Sequence, residues 1–233
     1  MKVRKRIIVY IAILIVLLAA LLVLFLYDRN NRNVQSNELD SAAQSFLDKL
    51  KNGAGDSEYE QEINDASLGT NADGDLTNAF PDNAAMQAPI LDSSSKVAKI
   101  NGQTILGIIT ISKIGVKYPI IQYVNQKSLN ISICKYSQDK KLNDLGNVAL
   151  IGHNMSNGLM FHNLDKLKDG DIIQITDASG QTITYGITSS YIIEPQDTDC
   201  LKTADPEKRE LTLITCVTGD FSRRFIIKAE EIY

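Results

Sequence analysis

An excess of positive charge is missing from this chain: 24 Lys and Arg stand against 28 Asp and Glu, a formal net charge of −4 over 233 residues. Phosphate binding needs a basic face, and no basic stripe stands out, so a nucleic-acid partner is excluded. Histidine is nearly absent, with only His153 and His162, and neither Cys-x-x-Cys nor His-x-x-x-His spacing occurs. A zinc site has nothing to build on, and no metal or cofactor is expected. Cysteine is scarce and odd in number. Cys134, Cys200 and Cys216 form no disulfide framework, and at least one thiol is free. Residues 52–95 hold no Lys or Arg, while nine Asp and Glu are spread among Gly, Asn, Ala and Ser. Such a stretch cannot bury enough surface to offset chain entropy. It reads as a self-repelling tether, and its carboxylates lack the spacing of a calcium loop.

What is present is sharply partitioned. Residues 7–27 run without a charge, and at 1.5 Å per residue they reach about 31 Å, enough to cross the hydrocarbon core. A secretory leader would end its apolar region at small residues, whereas Ala19 and Ala20 sit in the middle of this run. Lys2, Arg4, Lys5 and Arg6 precede the run, and only Arg29 and Arg32, offset by Asp28, follow it closely. This bias predicts a single-pass cell-membrane protein with residues 1–6 in the cytoplasm, an anchor at 7–27 and an extracytoplasmic linker over 28–95. Within the linker, 37–51 has acidic residues in its first turn, lysines in its last and Gly53 just beyond, which predicts a short juxtamembrane helix. Its apolar face is small: Ala42, Phe46, Leu47 and Leu50.

From 96 to 233 the pattern changes to short runs of Ile, Val, Thr and Tyr bounded by Gly, Asn and Asp. Strands are predicted at 104–111, 117–122, 146–151, 171–176, 181–193, 210–215 and 224–229. Seven or eight strands with few, short helices describe an all-β sandwich or barrel.

Three residues in this domain stand where chemistry is possible. Cys216 ends the apolar run 210–216, so it is held by a strand yet adjoins a loop. Taken singly it is a small core residue. His153 follows the strand 146–151 through Gly152, and an imidazole near a thiol favours thiolate and can later protonate a leaving amine. Arg224 opens the last strand, and the seven residues between it and Cys216 are a plausible hairpin loop that brings a guanidinium near the sulfur. Whether Arg223 or Arg224 faces that sulfur depends on register, because neighbouring strand residues point to opposite faces.

Taken together, the order His, Cys, Arg in Leu150-Ile151-Gly152-His153-Asn154, Leu211-Thr212-Leu213-Ile214-Thr215-Cys216 and Arg224-Phe225-Ile226-Ile227 strongly resembles the sortase family. The likeness extends over roughly residues 100–233 and includes Gly158-Leu159-Met160-Phe161 and Glu194-Pro195-Gln196-Asp197. It implies a sortase-type closed β-barrel and cleavage of an LPxTG-like sorting signal between Thr and Gly. It also implies a thioester on Cys216, resolved by an amine of peptidoglycan or its precursor. In that scheme His153 moves the proton, Arg224 stabilises developing charge, and Ile151, Leu201, Ile214 and Thr215 contact substrate. The short segment 191–201 and the end at Tyr233 point to class A or class D rather than class B or C. Cys200 is expected in a pocket wall, Cys134 in the core and His162 at the surface. Two other functions compete. An exported cysteine peptidase would use water in place of the amine, and a non-catalytic domain binding cell wall would keep Cys216 buried and unreactive.

Overall fold

Nothing between residues 2 and 51 breaks a helix, because neither Gly nor Pro occurs there. In the computed structural model, which describes residues 2–51, 98–137 and 139–232, the apolar run and the predicted juxtamembrane helix accordingly merge into one element, α1 (Lys2–Lys51). The acidic stretch 52–95 lies outside the described residues. The chain divides into two compact units, Met1–Glu38 and Leu39–Tyr233. The first carries Tyr10–Asn30, long and apolar enough to cross a membrane by length and composition.

The second unit begins within α1, and the reason is visible in the helix period. Leu39, Ala42, Ala43 and Phe46 fall at i, i+3, i+4 and i+7, and all four are buried. Phe46 and the two alanines share an apolar cluster with Ile105, Ile108, Ile121, Ile151 and Ile214 of the sheet. The small apolar face read from the sequence is thus a packing face of the barrel. Phe46→Ala should cost about 3–5 kcal/mol. Urea unfolding of the full chain in detergent, followed by a signal from the barrel, should show a clearly lower midpoint than for the exposed-site control Gln44→Ala; equal midpoints would mean that the helix does not dock.

The strands are β1 (Lys99–Ile100), β2 (Gln103–Ile111), β3 (Val116–Ile121), β4 (Ile133–Lys135), β5 (Gly146–Ile151), β6 (Ile172–Asp177), β7 (Thr182–Ile193), β8 (Arg209–Val217) and β9 (Asp220–Glu231). They pair in the order β1-β2-β3-β4-β5-β8-β9-β7-β6, and β2 pairs again with β6. Eight strands therefore close into a ring, and β1 only extends the edge of β2. All seven predicted strands are present. The sequence pattern does not give β1 and β4, which are two and three residues long, too short to show a period of two. A helix α2 (Gln126–Ile131), capped by Asn125, also lies between predicted elements.

Strands β5 and β8 are apolar almost without interruption because both faces are covered. Val148 and Leu150 of β5, with Leu211 and Leu213 of β8, pack in one cluster around Phe161 and Tyr185. Their neighbours Ala149, Ile151, Ile214 and Cys216 pack in the other. Cys216 therefore belongs to a definite face of the sheet, shared with Ile226 of β9.

Candidate active site

β5 and β8 run parallel, with Ile151 opposite Ile214, and the pairing continues past the end of β5. The Gly152 amide donates to the Ile214 carbonyl at 3.1 Å, and the Thr215 hydroxyl donates to the Gly152 carbonyl at 2.8 Å. The chain is thereby held against β8 for one residue beyond the strand, up to Gly152, the residue before His153. Gly152 serves close approach here. A Cβ at this position would stand 3.0 Å from the Phe161 ring and 3.1 Å from Ile133.

On the other side of Cys216 the hairpin is tighter than the sequence implies. The seven intervening residues are not a loop: β8 runs to Val217 and β9 starts at Asp220, leaving Thr218 and Gly219 at the tip, a two-residue hairpin with Gly219 at φ +77°. Cys216 lies directly opposite Arg224, with a bulge just beyond it. The register question is thereby answered in geometry. Arg224 Nη1 is 3.8 Å from Cys216 Sγ, whereas the Arg223 side chain turns to Asp220, with Nε 2.7 Å from Oδ2.

Arg224 is 4% exposed, His153 5% and Cys216 0%. Arg224 Nη1 also donates to the carbonyls of Phe221 at 2.9 Å and Arg223 at 3.3 Å, while its buried Nε has no hydrogen-bond partner. Among the described residues no carboxylate pairs with this guanidinium. A buried, incompletely satisfied cation costs the fold several kcal/mol, and a cation beside a thiol stabilises negative charge on sulfur. Cys216 is thus not an ordinary core cysteine, although it is as inaccessible as one.

The other two cysteines have no guanidinium beside the sulfur, although the Lys228 ammonium lies near Cys200. None of the three is in a disulfide. Burial pushes the Cys134 thiol far up. It pushes the Cys200 thiol up to about 11, against a smaller opposing effect of the Lys228 charge, so both are protonated at neutral pH. Cys200 is nonetheless fixed through its backbone. Its carbonyl accepts from Asn147 Nδ2, the Thr212 hydroxyl and Lys228 Nζ at 3.0–3.2 Å, which pins the single helical turn Asp199–Leu201 onto the sheet. Leu201 is half-buried on that turn. Ile151 and Ile214 are fully buried on the Cys216 face. Thr215, also expected at the substrate, stands apart from them, because strand alternation turns it away from Cys216 and its hydroxyl is used by Gly152.

Sequence reasoning gave no role to Asn154 and set His162 on the surface. Asn154 is buried, and its Nδ2 donates to the Cys216 carbonyl and to the Thr218 hydroxyl, both at 2.9 Å. His162 is half-buried, with Nδ1 2.9 Å from Asn154 Oδ1. The only signal available in the sequence was adjacency to His153.

A family model described as "Sortase domain" matches residues 109–232. Sortase D of Bacillus subtilis (strain 168) is 28% identical over 130 residues, covering 54% of this chain and 63% of the relative, so the chain spans less than two thirds of that relative's length. A Clostridium perfringens sortase D5 transpeptidase superposes with a TM-score of 0.50 at 30% identity, covering 55% of this chain and 79% of that one. A Clostridium perfringens sortase C, solved with the C-terminal cell wall sorting motif, gives 0.50 at 25% identity, covering 55% and 74%.

Proposed function

Since the chain belongs to the sortase family of transpeptidases, we propose that it is a membrane-anchored sortase that joins exported proteins to a cell-wall amine through a thioester on Cys216. The observation that carries this reading is the Arg224 guanidinium, buried, short of partners and 3.8 Å from Cys216 Sγ. A non-catalytic domain would share the burial of Cys216, but it has no use for such a cation there. The sorting motif bound by a structural relative supports an LPxTG-like signal as the substrate.

In the proposed mechanism the Cys216 thiolate attacks the carbonyl carbon of the signal's threonine. The carbonyl electron pair moves to oxygen, and Arg224 stabilises that oxyanion. As the intermediate collapses, the Thr–Gly bond breaks and His153, in its protonated form, gives its proton to the departing glycine amine. The thioester that remains is attacked by an amine of peptidoglycan or its precursor. His153 takes the proton, the new amide forms and the Cys216 thiolate departs. Two steps through a thioester replace direct attack of a weak amine on an amide. Ile151, Ile214 and Leu201 form the proposed apolar wall for the signal. Thr215 belongs to the scaffold that aligns β5 with β8.

The apolar window Tyr10–Asn30 and the cluster of positive charge before it support an anchor with the barrel outside the membrane. The full chain, incubated with a library of LPxTG-type peptides and an amine, should release the C-terminal fragment and form a peptide–amine conjugate. Release without conjugate at saturating amine would instead favour a cysteine peptidase. No cleavage of any peptide would leave a wall-binding domain.

A further inference from the structure

We infer that Asn154 is a positioning residue that locks the Cys216 turn to the His153 loop, and that His162, bonded to the Asn154 amide oxygen, holds that amide in place. The inference rests on the proposed transpeptidation at Cys216.

Strand pairing is irregular where the chemistry is placed. The β8–β9 ladder shifts register between Cys216 and Val217, and β5 ends at Ile151, two residues before His153. At these points the backbone draws on other partners. Asn154 supplies them from the residue next to His153, with one amide nitrogen donating to both the Cys216 carbonyl and the Thr218 hydroxyl. The residue bearing the sulfur and the tip of its hairpin are thereby tied to the loop bearing the imidazole.

The orientation of the amide follows from chemistry. The Cys216 carbonyl can only accept, so the nitrogen of the Asn154 amide faces it, and the oxygen faces His162. That oxygen is an acceptor, so His162 Nδ1 carries the proton in this contact. Were the amide reversed, two oxygens would meet at the Cys216 carbonyl. The Cys216 carbonyl therefore sets the orientation, and His162, as donor to the amide oxygen, helps hold it. The loop is fixed from its far side as well: Asn154 bridges to Met160, and the Phe161 amide donates to the His153 carbonyl at 3.0 Å.

The role differs from simple support of the fold in what it should change. Misplacing the reacting atom lowers the chemical step while leaving the recognition of a long peptide largely intact. With the full chain in detergent, N154A is expected to lower kcat for transpeptidation by roughly 10–100-fold, with KM changing by less than about threefold. H162F fills the same space without a donor and should lose about fivefold in kcat, as for one hydrogen bond. H162Q offers an amide donor and should recover most of that loss. Backbone hydrogen exchange at 217–220 should rise in N154A and H162F and return toward the wild-type rate in H162Q. If wild type is active and N154A matches its kcat, the inference fails while the transpeptidase reading stands. If wild type forms no product, both fail. Should N154A not fold, the His162 pair decides: equal kcat in H162F and H162Q overturns the inference.

Discussion

Replacing Cys216 by alanine is expected to remove transpeptidation by roughly 10⁴–10⁶-fold, down to the level that binding alone sustains. The sulfur is proposed to make the bond that carries the acyl group, and neither remaining thiol can stand in for it. Cys134 and Cys200 are protonated at neutral pH, Cys200 with its thiol pushed up to about 11, and both are buried. The fold should tolerate the change. Alanine removes one sulfur atom from an apolar cluster and leaves the Cys216 carbonyl bonded to Asn154. Near-UV circular dichroism and the urea midpoint of C216A should stay close to wild type while product formation in the peptide–amine assay disappears. Retained product in C216A would remove the proposed nucleophile.

Arg224 is expected to separate catalysis from stability. Losing one preorganised donor to an oxyanion costs about 10²–10³ in kcat, and Arg224→Met, similar in length but uncharged, should show that loss. Lysine should not rescue it, since an ammonium cannot reproduce the fork of a guanidinium. Stability should move the other way. The guanidinium is buried, has no carboxylate partner among the described residues and leaves Nε without a hydrogen bond. Exchanging an unsatisfied buried charge for an apolar side chain is neutral or stabilising by about 1–4 kcal/mol. A variant nearly dead in the assay yet unfolding at equal or higher urea is therefore expected. Arg223→Ala should leave kcat unchanged within about twofold, because that side chain is engaged with Asp220 in an exposed ion pair of small energetic weight. Loss of activity in Arg223→Ala with retention in Arg224→Met would contradict the register on which the site rests.

Much of this arrangement could be read from the residues, and the remainder could not for definite reasons. β5 was legible to its bounds, since the apolar run Val148–Ile151 is framed by Gly146-Asn147 before it and Gly152 after it. His153, Cys216 and Arg224 were proposed as a set from their motifs, but which arginine faces the sulfur was not legible. That choice follows from the two-residue turn at Thr218-Gly219, and a count of seven residues suggested a loop instead. The docking of residues 39–46 was hidden for another reason. Two of its four buried side chains are alanines, so the apolar face looks weak until a sheet is placed against it. Asn154 was invisible because a polar residue after a strand is the ordinary composition of a loop. Its significance lies in a hydrogen bond to a residue 62 positions away. Nor could periodicity foretell that the three proposed catalytic side chains would all be at most 5% exposed. The cluster around Cys216 must open for a peptide to reach the sulfur.

The account depends most directly on a covalent bond at one atom. The full chain, mixed with a cleavable LPxTG-type peptide in the absence of amine and quenched in acid within the first turnovers, should gain the mass of the N-terminal acyl fragment. The adduct should map to Cys216, should be removed by hydroxylamine as a thioester is, and should be absent from C216A. Peptide cleavage with no adduct on Cys216, or an adduct that maps to another residue, would contradict it.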